Sequence, residues 1–164
     1  MADAIRAFKY GPNSSLAHCL SRWLVDAALH YAGHIDAVVP MPLHVTRLRE
    51  RGWNPSTLLA RPVARALALP LRPSWLQRVR PTATQAGLSR TARQRNVCGA
   101  FQAAQVPAAR VLLIDDVRTT GATLQEGVRC LQAHGHSVAS LALAWATDSP
   151  TADMEHSGVG ALTE

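Results

Sequence analysis

The stretch Val111-Leu-Leu-Ile-Asp-Asp-Val-Arg-Thr-Thr-Gly-Ala-Thr123 decides how this chain folds. Its short apolar run, bounded by charge, predicts a buried strand over 111–115. Two carboxylates stand at the end of that strand, followed by a turn bearing hydroxyls and a glycine where a helix begins. Thr119, Thr120 and Thr123 offer hydroxyl donors, Gly121 lets a ligand approach the backbone, and the unpaired amides of a first helical turn favour an anion. A phosphate fits such a cradle. Asp115 and Asp116 would repel phosphate, so they suit another part of the same ligand, either sugar hydroxyls or an associated divalent metal. The plain alternative is a strand leading into a Thr-capped helix with two solvated aspartates. A P-loop is excluded because it needs a lysine in G-x-x-x-x-G-K-[ST], and no lysine follows Lys9. A phospho-receiver site would also need a later lysine.

Working outward, Leu16, Leu20, Leu24, Ala27 and Ala28 recur at helical spacing behind a serine cap, predicting a helix over 15–31 that Gly33 ends. Asp36–Pro40 reads as a buried strand, and Pro40-Met41-Pro42 forces an extended or turned loop after it. A helix over 55–68 contains Pro62, which implies a late start or a kink. A strand over Leu71–Val79 precedes the polar, basic run Arg80–Asn96, read as a mobile loop entering a short helix. A brief strand at 100–102, a helix from Thr123 to Ala133 stopped by Gly135, and a strand from Val138 to Trp145 complete the pattern. Strands alternating with helices predict an α/β fold, a Rossmann-like parallel sheet flanked by helices, with ligands beyond the carboxyl ends of the strands. The 164 residues suit one domain over 1–146, with a polar, acidic tail over 147–164.

The net charge of +6 hides an uneven layout. Residues 1–36 are neutral, residues 37–114 carry twelve bases against Glu50 alone, and residues 115–164 carry two bases against seven acids. The middle section therefore presents its arginines to water or to an anion such as phosphate or nucleic acid. Lys9 is the only lysine, so almost all the positive charge is guanidinium, which suits bidentate oxyanion contact. Cys19, Cys98 and Cys130 lack C-x-x-C spacing and suggest neither a disulfide framework nor a zinc site. With no signal pattern at the N-terminus and no apolar run long enough to span a bilayer, a cytoplasmic protein is expected. His30 and His34 are separated by a helix-breaking glycine and read poorly as a metal pair. Trp53 and Trp75 read as core residues before they read as stacking platforms for bases.

The segment over 111–123 resembles the phosphoribosyl-diphosphate signature of type I phosphoribosyltransferases. Pro40-Met-Pro-Leu-His44, Arg47-Leu-Arg-Glu-Arg-Gly-Trp-Asn54, Arg80-Pro-Thr-Ala-Thr-Gln85, Leu88, Arg93, Asn96 and Gly99-Ala-Phe101 together resemble the ComF family, phosphoribosyltransferase-like proteins linked to competence and DNA uptake. The likeness runs from about Phe8 to Trp145. It implies a type I phosphoribosyltransferase fold that binds phosphoribosyl diphosphate with Mg2+ and transfers the pentosyl group to an acceptor the sequence does not identify. Val117, Arg118, Thr119, Thr120, Gly121, Ala122 and Thr123 would surround the 5′-phosphate, and Asp115 and Asp116 would take the 2′ and 3′ hydroxyls. Met41, Pro42 and Leu43 would form the pyrophosphate loop, with Arg47, Arg49 and Arg51 adding charge. The run 80–96 would be the loop that closes over the reaction, contacting ligand through Gln85, Arg93 and Asn96. The resemblance equally admits a non-catalytic sensor of phosphoribosyl diphosphate, a module that binds single-stranded DNA or competence proteins during transformation, and a homodimer. Two departures stand out. Arg118 occupies a position where the family is usually apolar or aromatic, and the paired C-x-x-C motifs of an N-terminal zinc ribbon have no counterpart, implying a metal-free branch or a shortened chain.

Overall fold

The computed structural model describes residues 14–82, 89–118 and 121–145. The chain enters through α1 (Ser14–Leu29) and turns at Gly33, which takes a positive φ, into β1 (Ala37–Pro40). Two helices follow, α2 (Val45–Arg51) and α3 (Pro55–Ala66), and then a single 3-10 turn over Pro73–Trp75 leads into β2 (Leu76–Arg78). The remaining elements are α4 (Arg90–Val97), β3 (Phe101–Ala103), β4 (Arg110–Arg118), α5 (Ala122–Gln132) and β5 (Ser137–Trp145).

The main sheet has the order β1-β4-β5, and both pairings are parallel. Parallel strands need crossovers, and the helices of those crossovers cover both faces, so the central strand must be apolar on both sides. Val111, Leu112, Leu113 and Ile114 meet that demand and are fully buried. Leu112 and Ile114 pack with Leu20, Leu24 and Ala28 of α1 and with Leu59 and Val63 of α3. Val111 and Leu113 point the other way, toward Leu124 and Leu131 of α5 and toward Leu76 and Phe101. The α/β fold and the parallel sheet expected from the sequence are therefore present.

One expected strand is different. Instead of one strand from Leu71 to Val79, the segment makes a single bridge to β1, at Leu71 opposite Val38, where the Arg72 amide donates to the Val38 carbonyl at 2.8 Å. Pro70 and Pro73 account for this: neither can donate to a ladder, and Pro73 opens the 3-10 turn. What remains, β2, pairs antiparallel with β3 in a separate two-stranded sheet. The expected helix containing Pro62 is present and does not start late: it begins at Pro55, a favoured first position, and runs past Pro62 to Ala66. The short α2, with no buried residue, was not foreseen. The acidic tail over 147–164 lies outside the described residues.

At the amino-terminal edge of the sheet, Arg110 bonds Asp36 through Nη2 at 2.6 Å and reaches the Gly33 carbonyl at 3.1 Å. The Arg110 guanidinium holds the Asp36 carboxyl at about 2, below its usual range. His134 Nδ1 lies 2.9 Å from the Cys130 carbonyl at the end of α5. His136 is buried and stacks on Trp75 with centroids 5.5 Å apart. No described helix is long and apolar enough to cross a membrane.

Gly127 lets α5 sit close against Met41, Leu113 and Leu76. A Cβ there would lie 2.7 Å from Met41 Cε, 3.3 Å from Leu113 and 3.4 Å from Leu76. Gly127→Val should cost about 1–3 kcal/mol by overpacking, read as a lower denaturant midpoint at unchanged slope; an unchanged midpoint would contradict this packing.

Candidate functional site

Because β1 and β4 are parallel and adjacent, both deliver their following residues to one edge, and the functional residues gather there. Asp115 pairs with no β1 residue, since the β1 register ends at Pro40 opposite Ile114. The Met41 amide instead donates to the Ile114 carbonyl at 2.7 Å, which holds the start of the Met41–Leu43 loop beside the acidic pair of β4; the strand runs on past that pair to Arg118, three residues beyond the expected end. Met41 is buried, and Pro42 and Leu43 are half-buried.

Asp115 is buried, and none of the ion pairs among the described residues involves it. Its Oδ1 accepts the Ser56 hydroxyl at 3.1 Å and the Asp116 amide at 2.9 Å. Burial pushes the Asp115 carboxyl well above the usual carboxylate range, and the like charge of Asp116 adds to the rise. The amide of Asp116 and the Ser56 hydroxyl pull back less strongly. Asp116, one residue further out, is half-buried.

Arg78 lies within electrostatic reach of Asp115, and Arg80 and Arg47 within reach of Arg78. Burial pushes the Arg78 guanidinium below its ordinary value; Asp115 opposes that shift, and Arg80 and Arg47 reinforce it. The four charged groups therefore share one field. Arg78 lies over the Phe101 ring at 5.5 Å, bonds the Thr82 hydroxyl, and keeps a buried Nε with no hydrogen-bond partner. Arg80 bonds the carbonyls of Asn96 at 3.0 Å and Cys98 at 2.6 Å, tying the base of the run 81–95 to the end of α4. Arg47 is exposed and shares only a 3.4 Å surface contact with Glu50, a pair worth little in water.

On the other flank, α5 opens at Gly121 in the left-handed region, at φ 76°, and that residue supplies no capping side chain. Ala122 is buried and Thr123 half-buried. The backbone of Val117 and Arg118 continues β4. Thr119, Thr120 and Gln85 lie outside the described residues. Arg93 is buried within α4 and Asn96 is half-buried on the same helix. Arg51 is half-buried at the end of α2.

Sequence reasoning missed Arg78, Ser56 and Asn54. Arg78 sat inside a run read as one long strand, where a second charge, Arg72, and the polar Ser74 and Gln77 left it with no distinguishing local signal. Ser56 meets Asp115 across 59 positions, a contact no local pattern announces. Asn54 was noticed within a motif but given no role; it caps α3, accepting from the Ser56 amide at 3.1 Å.

No protein-family model matches the sequence. The chain is 39% identical over 140 residues to competence protein F of Haemophilus influenzae, covering 80% of this chain and 61% of that protein. It is 34% identical over 141 residues to the DNA utilization protein YhgH of Escherichia coli K12, covering 82% of this chain and 62% of that protein. The chain thus spans about three fifths of the length of these relatives. Among solved structures, glutamine phosphoribosylpyrophosphate amidotransferase from B. subtilis superposes with a TM-score of 0.56 at 18% identity, over 85% of this chain and 30% of that one. Adenine phosphoribosyltransferase from Thermoanaerobacter pseudethanolicus gives 0.51 at 18% identity, over 81% and 70%. At that identity the likeness speaks for the fold alone, and the fold is that of type I phosphoribosyltransferases.

A carboxyl whose folded value is raised destabilises the folded state wherever the unfolded chain has ionised and the folded one has not, which begins above about pH 4. Asp115→Asn should therefore melt higher than the parent protein at pH 8, with the advantage shrinking as the pH falls toward 4. A constant difference across that range would show that Asp115 is not held in its protonated form.

Proposed function

As the chain belongs to the ComF family of type I phosphoribosyltransferase-like proteins, we propose that it binds phosphoribosyl diphosphate together with Mg2+ and serves DNA uptake or use, as the names of its relatives suggest. The observation that carries this reading is the meeting, at one sheet edge, of a buried carboxylate, an arginine cluster and a helix start without a side-chain cap from Gly121.

The parts suit the ligand's parts. The first turn of α5 and the residues Thr119 to Thr123 take the 5′-phosphate on backbone amides and hydroxyls. Asp115 and Asp116 accept from the 2′ and 3′ hydroxyls. The Met41–Leu43 loop and the guanidinium groups of Arg47, Arg51, Arg78 and Arg80 face the pyrophosphate, where planar donors match oxyanions. Gln85, Arg93 and Asn96 belong to the segment that closes over the centre. The donor set also suits magnesium, which usually takes one or two carboxylates and completes its shell with phosphate oxygens and water. When bound, the metal neutralises charge on the pyrophosphate.

If an acceptor is present, its nucleophile bonds to the anomeric carbon as the bond to pyrophosphate oxygen breaks and pyrophosphate departs, through a transition state with positive charge on the sugar. This chain then contributes position and electrostatics: fixed hydroxyls, a fixed phosphate and arginines at the departing anion.

A second reading rests on α2, whose Arg47 and Arg49 are exposed beside exposed Val45 and Leu48, with no buried residue. This surface suits single-stranded DNA, and the protein would then act as a sensor or carrier without transfer. Oligonucleotide affinity falling steeply with salt, with no pyrophosphate released from any base or amine, favours that reading.

Calorimetric titration with phosphoribosyl diphosphate and magnesium tests the main reading. The parent protein should bind, and Asp115→Asn combined with Asp116→Asn should abolish binding while the protein stays folded. Unchanged affinity in the double variant would remove both aspartates from the site.

A further inference from the structure

Three segments distant in sequence close into one ring of hydrogen bonds beside the acidic pair. The Met41 amide donates to the Ile114 carbonyl at 2.7 Å. Asn54 Nδ2 donates to the Met41 carbonyl at 2.9 Å, and Asn54 Oδ1 accepts from the Ser56 amide at 3.1 Å. Ser56 Oγ donates to Asp115 Oδ1 at 3.1 Å. Asp115 follows Ile114 directly, so the ring closes on β4.

Only one of these bonds serves the helix. Capping α3 requires an acceptor for the Ser56 amide, and Asp or Ser at position 54 would supply it as well as Asn. The amide nitrogen of Asn54 does nothing for α3 and goes to the loop after β1. The hydroxyl of Ser56 likewise does nothing for α3, where Ala would be the better helix former. Ser56 is nonetheless 3% exposed, with its hydroxyl spent on a buried carboxylate. Two donors on the single atom Oδ1, from Ser56 and from the Asp116 amide, also fix the rotation of that carboxylate. Both polar groups therefore act away from their own helix, one on each side of the candidate site.

We infer that Asn54 and Ser56 are positioning residues that set the separation and orientation of the Met41–Leu43 loop and the Asp115 carboxylate without themselves touching the ligand. The inference rests on the reading of this edge as the phosphoribosyl diphosphate site. A ligand that engages the loop at one end and the carboxylate at the other gains from a fixed span, because misplacement of either partner is lost from binding.

The test uses the full chain, titrated calorimetrically with phosphoribosyl diphosphate and magnesium, with thermal melting of each variant alongside. Asn54→Ser retains an oxygen to cap α3 and removes the donor to Met41. Ser56→Ala removes the donor to Asp115, and Ser56→Thr restores a hydroxyl. The expected result is an affinity reduced about tenfold in Asn54→Ser and Ser56→Ala, the loss of roughly one hydrogen bond's worth, at temperatures where melting shows both variants still fully folded, and recovery in Ser56→Thr. Parent affinity in both depleted variants would overturn the inference and leave the site reading standing. Weaker binding matched by a proportional loss of folded protein would also overturn it, by making the two residues purely structural. A parent protein that does not bind the ligand at all would overturn the site reading and this inference with it.

Discussion

A parallel strand held between two parallel neighbours has no exposed edge and, with helices on either side, no wet face. That constraint on β4 governs the rest of the molecule. It demands an unbroken apolar run, which 111–114 supplies, and it sends the next residue out of the core at the same edge where β1 ends. A carboxylate placed there is still inside the protein. Asp115 accepts from a hydroxyl and a backbone amide, and its burial makes the charged form costly, which pushes the carboxyl above the usual carboxylate range. Strain of this kind collects where a protein binds or reacts, because the same group would be easier to keep in almost any other place.

The arginines complete that picture by their poor neutralisation. Arg78 is drawn partly out of water, has its own field raised by Arg47 and Arg80, and leaves Nε unpartnered. A group so placed gains from any anion that reaches it, and the two-stranded β2–β3 sheet is what brings it there: β2 carries Arg78, and its backbone runs beside His44 at the start of α2. The small sheet is thus an arm that presents guanidinium charge to the carboxyl edge of the large one.

Much of the large sheet was legible from the sequence because its signals are local. An apolar β-branched run followed by Asp-Asp and a Thr/Gly turn specifies strand, edge and helix start in thirteen residues, and helical spacing of leucines specified α1. The small sheet was not legible, since Pro70 and Pro73 decide which part of the segment Leu71–Val79 can pair, and the strand it pairs with begins only at Phe101, beyond α4. The candidate site divides in the same way. Asp115, Gly121 and the Met41 loop belong to motifs, whereas Ser56 and Asn54 matter through contacts made across the fold, and a serine near the start of a helix looks like an ordinary cap residue until its hydroxyl is seen on a carboxylate.

The clasp of Arg110 on Asp36 and the Gly33 carbonyl lies at the amino-terminal edge of the sheet, one strand length from the acidic doublet. Its consequence is practical. Chemistry done near that clasp leaves the opposite rim undisturbed, so a surface anchor or a reporter dye placed at the exposed His34 would let ligand occupancy be followed on an immobilised protein without blocking the mouth through which the ligand arrives.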